Sequence, residues 1–126
     1  MIHKYFAEIH EKLTEIKSLI KDSIVEFRAV SSEMGIIKGK ITFIDGSILD
    51  FRELASNEEH DYRFQWMNAN KKMGVRWDSA PHHKGLENFP FHRHVKNRVF
   101  SSKEVNTIWV MDEIKSEILK NIMGKI

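Results

Sequence analysis

Four of the chain's seven histidines, His82, His83, His92 and His94, fall within thirteen residues. Imidazole titrates near neutral pH, so two such rings can supply both a base and an acid to one reaction. Imidazole is also a common ligand for transition metals. His92 and His94 are two apart, which puts both rings on one side of an extended chain. With Asp78 and His82 or His83 they could complete a site for zinc, manganese or iron. No carboxylate stands at a diagnostic metal-motif spacing, and the pattern calls for no other cofactor. The third use is structural, with the rings hydrogen-bonding backbone carbonyls to hold a loop. Adjacent His82 and His83 cannot face the same way in an extended chain, so at least one of them is expected to play that role. Arg76 and Arg93 are the cations placed to stabilise developing negative charge. Asp78 could orient a histidine, or cap the turn before Pro81.

The segment carrying these residues, 78–99, reads as neither helix nor strand. Pro81, Gly85 and Pro90 bar a regular element, and each proline holds its predecessor extended. A long irregular loop in a compact domain is uncommon and often functional. We expect a fixed path with Leu86 and Phe89 anchored on the body.

The elements around it must supply that body. Ile2, Tyr5, Phe6, Ile9, Leu13, Ile16 and Ile20 recur at three- and four-residue steps and predict a helix over 2–20. Residues 24–30 and 37–44 alternate apolar and polar, as do 49–52 after the turn signal Asp45-Gly46. The apolar positions are odd-numbered on both sides of that turn, so the loop must hold an odd number of residues. Ile44-Asp45-Gly46, with Gly46 left-handed, satisfies this. A second hairpin joins 62–66 to 73–78 through a four-residue tip at 68–71, pairing Met67 with Lys72. Ser101-Ser102-Lys103-Glu104 reads as a capping box opening a final helix. Val105, Ile108, Met111, Ile114, Ile118 and Ile122 give that helix its stripe.

The expected fold is α+β: an antiparallel sheet of about five strands, with the N- and C-terminal helices on one face. Trp66, Trp77 and Trp109 lie on apolar stripes and read as core. His3, His10 and His60 read as surface residues. The other sheet face carries Arg28, Lys38, Lys40, Arg52, Arg63 and Arg76 with Glu26, Asp50 and Asp78. It is either a solvated face or a surface for an acidic partner or RNA.

The bulk composition fits one folded domain over 1–126. The chain is 41% hydrophobic and 30% charged, with a formal charge of +2. No apolar run nears the roughly 20 residues of a membrane span, and the N-terminus lacks a signal-peptide pattern. Cysteine is absent, which excludes disulfides, thiol nucleophiles and CxxC zinc sites. These features point to the cytoplasm. The methionines and the apolar residues at 118–123 leave room for a homodimer.

The string Trp77-Asp78-x-Ala80-Pro81-His82-His83-x-x-Leu86-x-x-Phe89-Pro90-x-His92-x-His94-Val95 resembles the signature of the TumE-like toxins. These are small prokaryotic proteins encoded beside a helix-turn-helix antitoxin. The resemblance implies a toxin that blocks translation or cleaves RNA, neutralised by a protein partner. In that setting a neutral imidazole would take the ribose 2′-OH proton and a protonated one would supply the leaving 5′-oxygen. The candidates are His82, His83, His92, His94 and Asp78 for metal-independent endoribonuclease chemistry. Arg76, Arg93, Arg28, Lys40 and Arg63 are the candidates for contacting RNA. The alternative is a non-catalytic module that docks protein or nucleic acid through a structural His-rich loop.

Overall fold

The computed structural model describes residues 1–70, 72–79 and 90–124. Among these, seven strands form one antiparallel sheet whose spatial order is the chain order. They are β1 (Ile20–Ala29), β2 (Gly35–Phe43), β3 (Ile48–Ala55), β4 (His60–Met67), β5 (Met73–Asp78), β6 (His92–Val95) and β7 (Arg98–Ser101). Helices α1 (Ile2–Glu15) and α2 (Thr107–Met123) flank the sheet in sequence. The expected α+β class and antiparallel sheet are present, but there are seven strands instead of five.

The parity of the apolar residues decides which face is covered. Ile37, Ile41, Leu49, Phe51, Phe64 and Trp77 form one core cluster with Ile2, Phe6 and Ile9 of α1 and Val110, Met111, Ile114 and Ile118 of α2. Both helices therefore lie on the same sheet face, where burial of these side chains drives the packing. Lys12 ties the helices together, its Nζ lying 2.7 Å from Asp112 and 2.6 Å from Glu15.

The first hairpin has the expected loop. Phe43 N donates to Ser47 O at 2.8 Å, leaving Ile44, Asp45 and Gly46 in the turn. Gly46 has φ +85°, where a Cβ would be strained. Asp45 Oδ1 accepts from both the amide and the hydroxyl of Ser47. In β2, Gly39 faces Phe51, and a Cβ there would come within 2.9 Å of that ring and of Ile24 O.

Four expectations need correction. The first helix ends at Glu15 and gives way to a 3₁₀ turn, Lys17–Leu19, so that β1 begins at Ile20. Ile16 and Leu19 stay in the core across this change, which apolar spacing alone does not reveal. Ile44 N takes Leu19 O at 2.9 Å, and Ile20 pairs with Phe43.

In the second hairpin, Trp66 pairs with Val75 and Phe64 with Trp77, two residues off the expected register. Asn68 is the cause. Its Oδ1 accepts from the amides of Asn70 and Lys72, and its own amide donates to Lys72 O, tightening the tip and forcing a bulge after Trp66. The shift is even, so the apolar face is kept.

The segment expected to be irregular supplies two strands. β6 and β7 are only four residues long and join at Lys96-Asn97, with Lys96 at φ +56°. Finally, Ser101 belongs to β7 and caps no helix. Asn106 is the N-cap of α2, its Oδ1 accepting from Trp109 N at 2.8 Å.

No helix among the described residues is long and apolar enough to cross a membrane.

Candidate functional site

β5 and β6 assemble the site. Asp78 stands opposite His92, and Arg76 opposite His94. All four are on the sheet face away from the helices. Trp77, between them in sequence, points the other way into the core and packs edge-on against Trp109. The two-residue period of the strand thus pins β5 to the core while presenting Arg76 and Asp78 on the far side.

The His92 and His94 rings meet edge to face with centroids 4.8 Å apart. One ligating atom from each of Asp78, His92 and His94 falls within 4.8 Å of the others. Arg76 lies among them. Its Nη2 is 3.2 Å from His94 Nε2, and its Nε is 3.6 Å from Asp78 Oδ2. Guanidinium only donates, so His94 Nε2 is the acceptor and that ring is neutral with its proton on Nδ1. Arg76 Nε is buried without a hydrogen-bond partner. His92 is 2% exposed, and its Nδ1 donates to Pro90 O at 2.9 Å, which fixes the ring with Nε2 as the nitrogen left to act as a ligand.

The candidates divide accordingly. Asp78, Arg76, His92 and His94 come together. Arg63 stands directly opposite Asp78 on the same face. Lys40 pairs with Asp50, and Arg28 lies on the edge strand β1, both further out along that face. Arg93 is on the helix side, where its guanidinium lies over Phe100 at 5.4 Å. The odd position of Arg93 between two even histidines puts it there. His82 and His83 lie outside the described residues, as do Leu86 and Phe89.

Asp78, His92 and His94 are a donor set suited to zinc, manganese or iron(II). The bond from His92 Nδ1 to a carbonyl is the orienting contact that metal-ligating histidines make. Ligands ~2.1 Å from a common ion lie about 3.4 Å apart in a tetrahedron, so the three donors would have to draw inward. Arg76 would also have to release His94 Nε2. The residues fit a divalent ion only after that exchange of one cation for another.

A second cluster, on the helix side, was not anticipated. Glu53 is 1% exposed. Its Oε1 accepts from Tyr5 Oη and Thr107 Oγ1, each at 2.6 Å, and from the Thr107 amide at 3.2 Å. Its Oε2 is 2.6 Å from His60 Nε2, while His60 Nδ1 is 2.6 Å from Glu104. His60, expected at the surface, instead bridges two carboxylates beside a cavity of about 650 Å³. Burial of the ring opposes its charge, but the bonds to Glu53 and Glu104 outweigh it and hold the His60 pKa above its ordinary value. Burial, reinforced by the Glu53 charge, pushes the Tyr5 phenol well up. One signal was available. Glu53 has the parity of Leu49 and Phe51, and a carboxylate at an apolar position must be paired.

A family model described as toxin TumE matches residues 9–122. No curated protein and no solved structure matches the chain.

Proposed function

Since the chain belongs to the TumE toxin family, we propose that it acts on RNA in the cytoplasm as an endoribonuclease, held in check by a protein antitoxin. The observation carrying this reading is the convergence of Asp78, His92 and His94 around Arg76, whose buried Nε has no hydrogen-bond partner. An unsatisfied buried N–H favours an incoming oxygen, and a phosphoryl oxygen supplies one.

The roles follow from the environments. His94, half-buried, takes the proton from a ribose 2′-OH on Nε2 once Arg76 has turned from that nitrogen to the phosphate. The 2′-oxygen attacks the adjacent phosphorus and the bond to the 5′-oxygen breaks. Arg76 stabilises the charge that builds on the non-bridging oxygens. His92 is sealed beneath and fixed by Pro90 O, so it is a positioning residue for its neighbours. Asp78 orients the imidazoles and the guanidinium. The proton for the leaving oxygen is assigned to His82 or His83, the other histidines of the same segment.

The test is a pH–rate profile on a labelled RNA with EDTA present. A bell with limbs on both sides of neutrality is expected, together with a loss of about 10²–10⁴-fold in His94→Ala. Absence of turnover, or turnover unaffected by that substitution, would leave a binding module. The metal reading rests on the same three donors. Loss of activity in EDTA, restored by zinc or manganese, would put an ion where Arg76 now reaches.

A further inference from the structure

Sheets usually set unlike charges opposite one another, because like charges in directly paired positions repel. This sheet does the reverse along one row of its open face. Lys38 pairs with Arg52, and Arg52 pairs with Arg63. All three side chains are exposed. Among the described residues none of the three has an ion pair. The row continues without a gap into the candidate site, Arg63 pairing with Asp78 and Asp78 with His92. At its other end Lys38 pairs with Glu26 of β1, beside a groove of about 290 Å³ lined also by Arg28, Ile36 and Arg52.

Glu26 and Asp78 stand at the two ends of this run, but Arg52 has a cation on either side, and a polyanion relieves that repulsion. Strands lie about 4.8 Å apart, so the distance from Lys38 to Asp78 is roughly 14 Å, too long for one phosphate and suited to several. We propose that Lys38, Arg52 and Arg63 form a backbone-binding track that feeds single-stranded RNA from the β2 end of the sheet to Asp78, His92 and His94. This rests on the RNA reading of that site and names its substrate class, an extended single strand held by its phosphates. The adjoining row runs Lys40, Asp50, Gln65, Arg76 and His94, so before the site's own histidines neither row offers an aromatic ring to a base. Recognition is therefore electrostatic and tolerant of sequence. A duplex is disfavoured, because attack by a 2′-oxygen on its own phosphorus needs an in-line geometry that stacked A-form strands do not adopt.

Fluorescence anisotropy tests this with a labelled oligouridylate of about 16 nucleotides. The protein is the full chain carrying His94→Ala, so that the RNA stays intact. The logarithm of the binding constant should fall linearly with the logarithm of salt concentration. Lys38→Gln, Arg52→Gln and Arg63→Gln should each reduce that slope by roughly 0.7. A duplex of equal length should be cut more slowly by the wild-type chain. Arg52→Gln should also raise the melting temperature, by about 2 °C, since it removes a repulsion from both neighbours. A residue that merely supported the fold would lower it. An unchanged salt slope in the three variants, or faster cutting of the duplex than of the single strand, overturns the track. If the slopes change as expected but the wild-type chain cuts no RNA, the track stands and the catalytic reading fails. If RNA is cut but the slopes do not move, the reverse holds.

Discussion

At the scale of single residues, Glu53 carries the sharpest consequence. Its carboxylate is 1% exposed and gathers bonds from α1, β4 and the entry to α2 through Tyr5, His60 and Thr107. Removing one member of a buried ionic pair strands the other, and His60→Ala should cost about 3 kcal/mol in urea unfolding. The pH dependence has a definite sign. His60 has a higher pKa folded than unfolded, the bonds to Glu53 and Glu104 outweighing burial. Its contribution is therefore complete below the unfolded value of about 6.5 and is lost as pH rises through the folded value. Unfolding free energies measured on the alkaline side of neutrality should fall in the wild type, and that fall should be absent in His60→Ala. Parallel curves for the two proteins would show that folding does not raise the pKa of this imidazole.

At the scale of elements, the leader into α2 shows how a cap is selected. Asn106→Ala should cost about 1 kcal/mol, because the Trp109 amide loses its acceptor. Ser101→Ala should be close to neutral for the helix, since its partner is His92 across the β6–β7 ladder. Thermal melts of the pair distinguish the two caps. The sequence pattern pointed to Ser101, and its strand pairing in β7 leaves the cap to Asn106.

The same division runs through the rest of the fold. The loop at Ile44-Asp45-Gly46 was legible, because odd parity on both sides and a glycine leave one solution. Strands β6 and β7 were not. Four residues give too little alternation, and Pro90 argues against a strand beside it. At the site, the His92-x-His94 spacing correctly put two rings on one side, and the same rule carries Arg93 to the other. Asp78 reaches its neighbours through ladder pairing, which composition does not encode. His60 was opaque because its partners are 7 and 44 residues away.

At the scale of the molecule, the sheet separates two tasks by face. Stability resides on the helix side, where Phe51 is 1% exposed and stacks on Phe64 with ring centroids 5.7 Å apart. Phe51→Ala should remove about 3–5 kcal/mol, read from the urea midpoint and slope. Arg52, the next residue, points the opposite way and is exposed. A loss of under 1 kcal/mol in Phe51→Ala would mean that the helices do not bear on the sheet as described.

The strand order has one more consequence. Every strand lies beside the one before it in the chain, so each can dock as it leaves the ribosome. β1 to β4 can fold back on one another while nothing beyond Met67 yet exists, and Asp78 acquires its histidines only when β6 arrives. A chain that stopped anywhere before His92 would lack both rings of this cluster and, with them, the whole of α2 that closes the core.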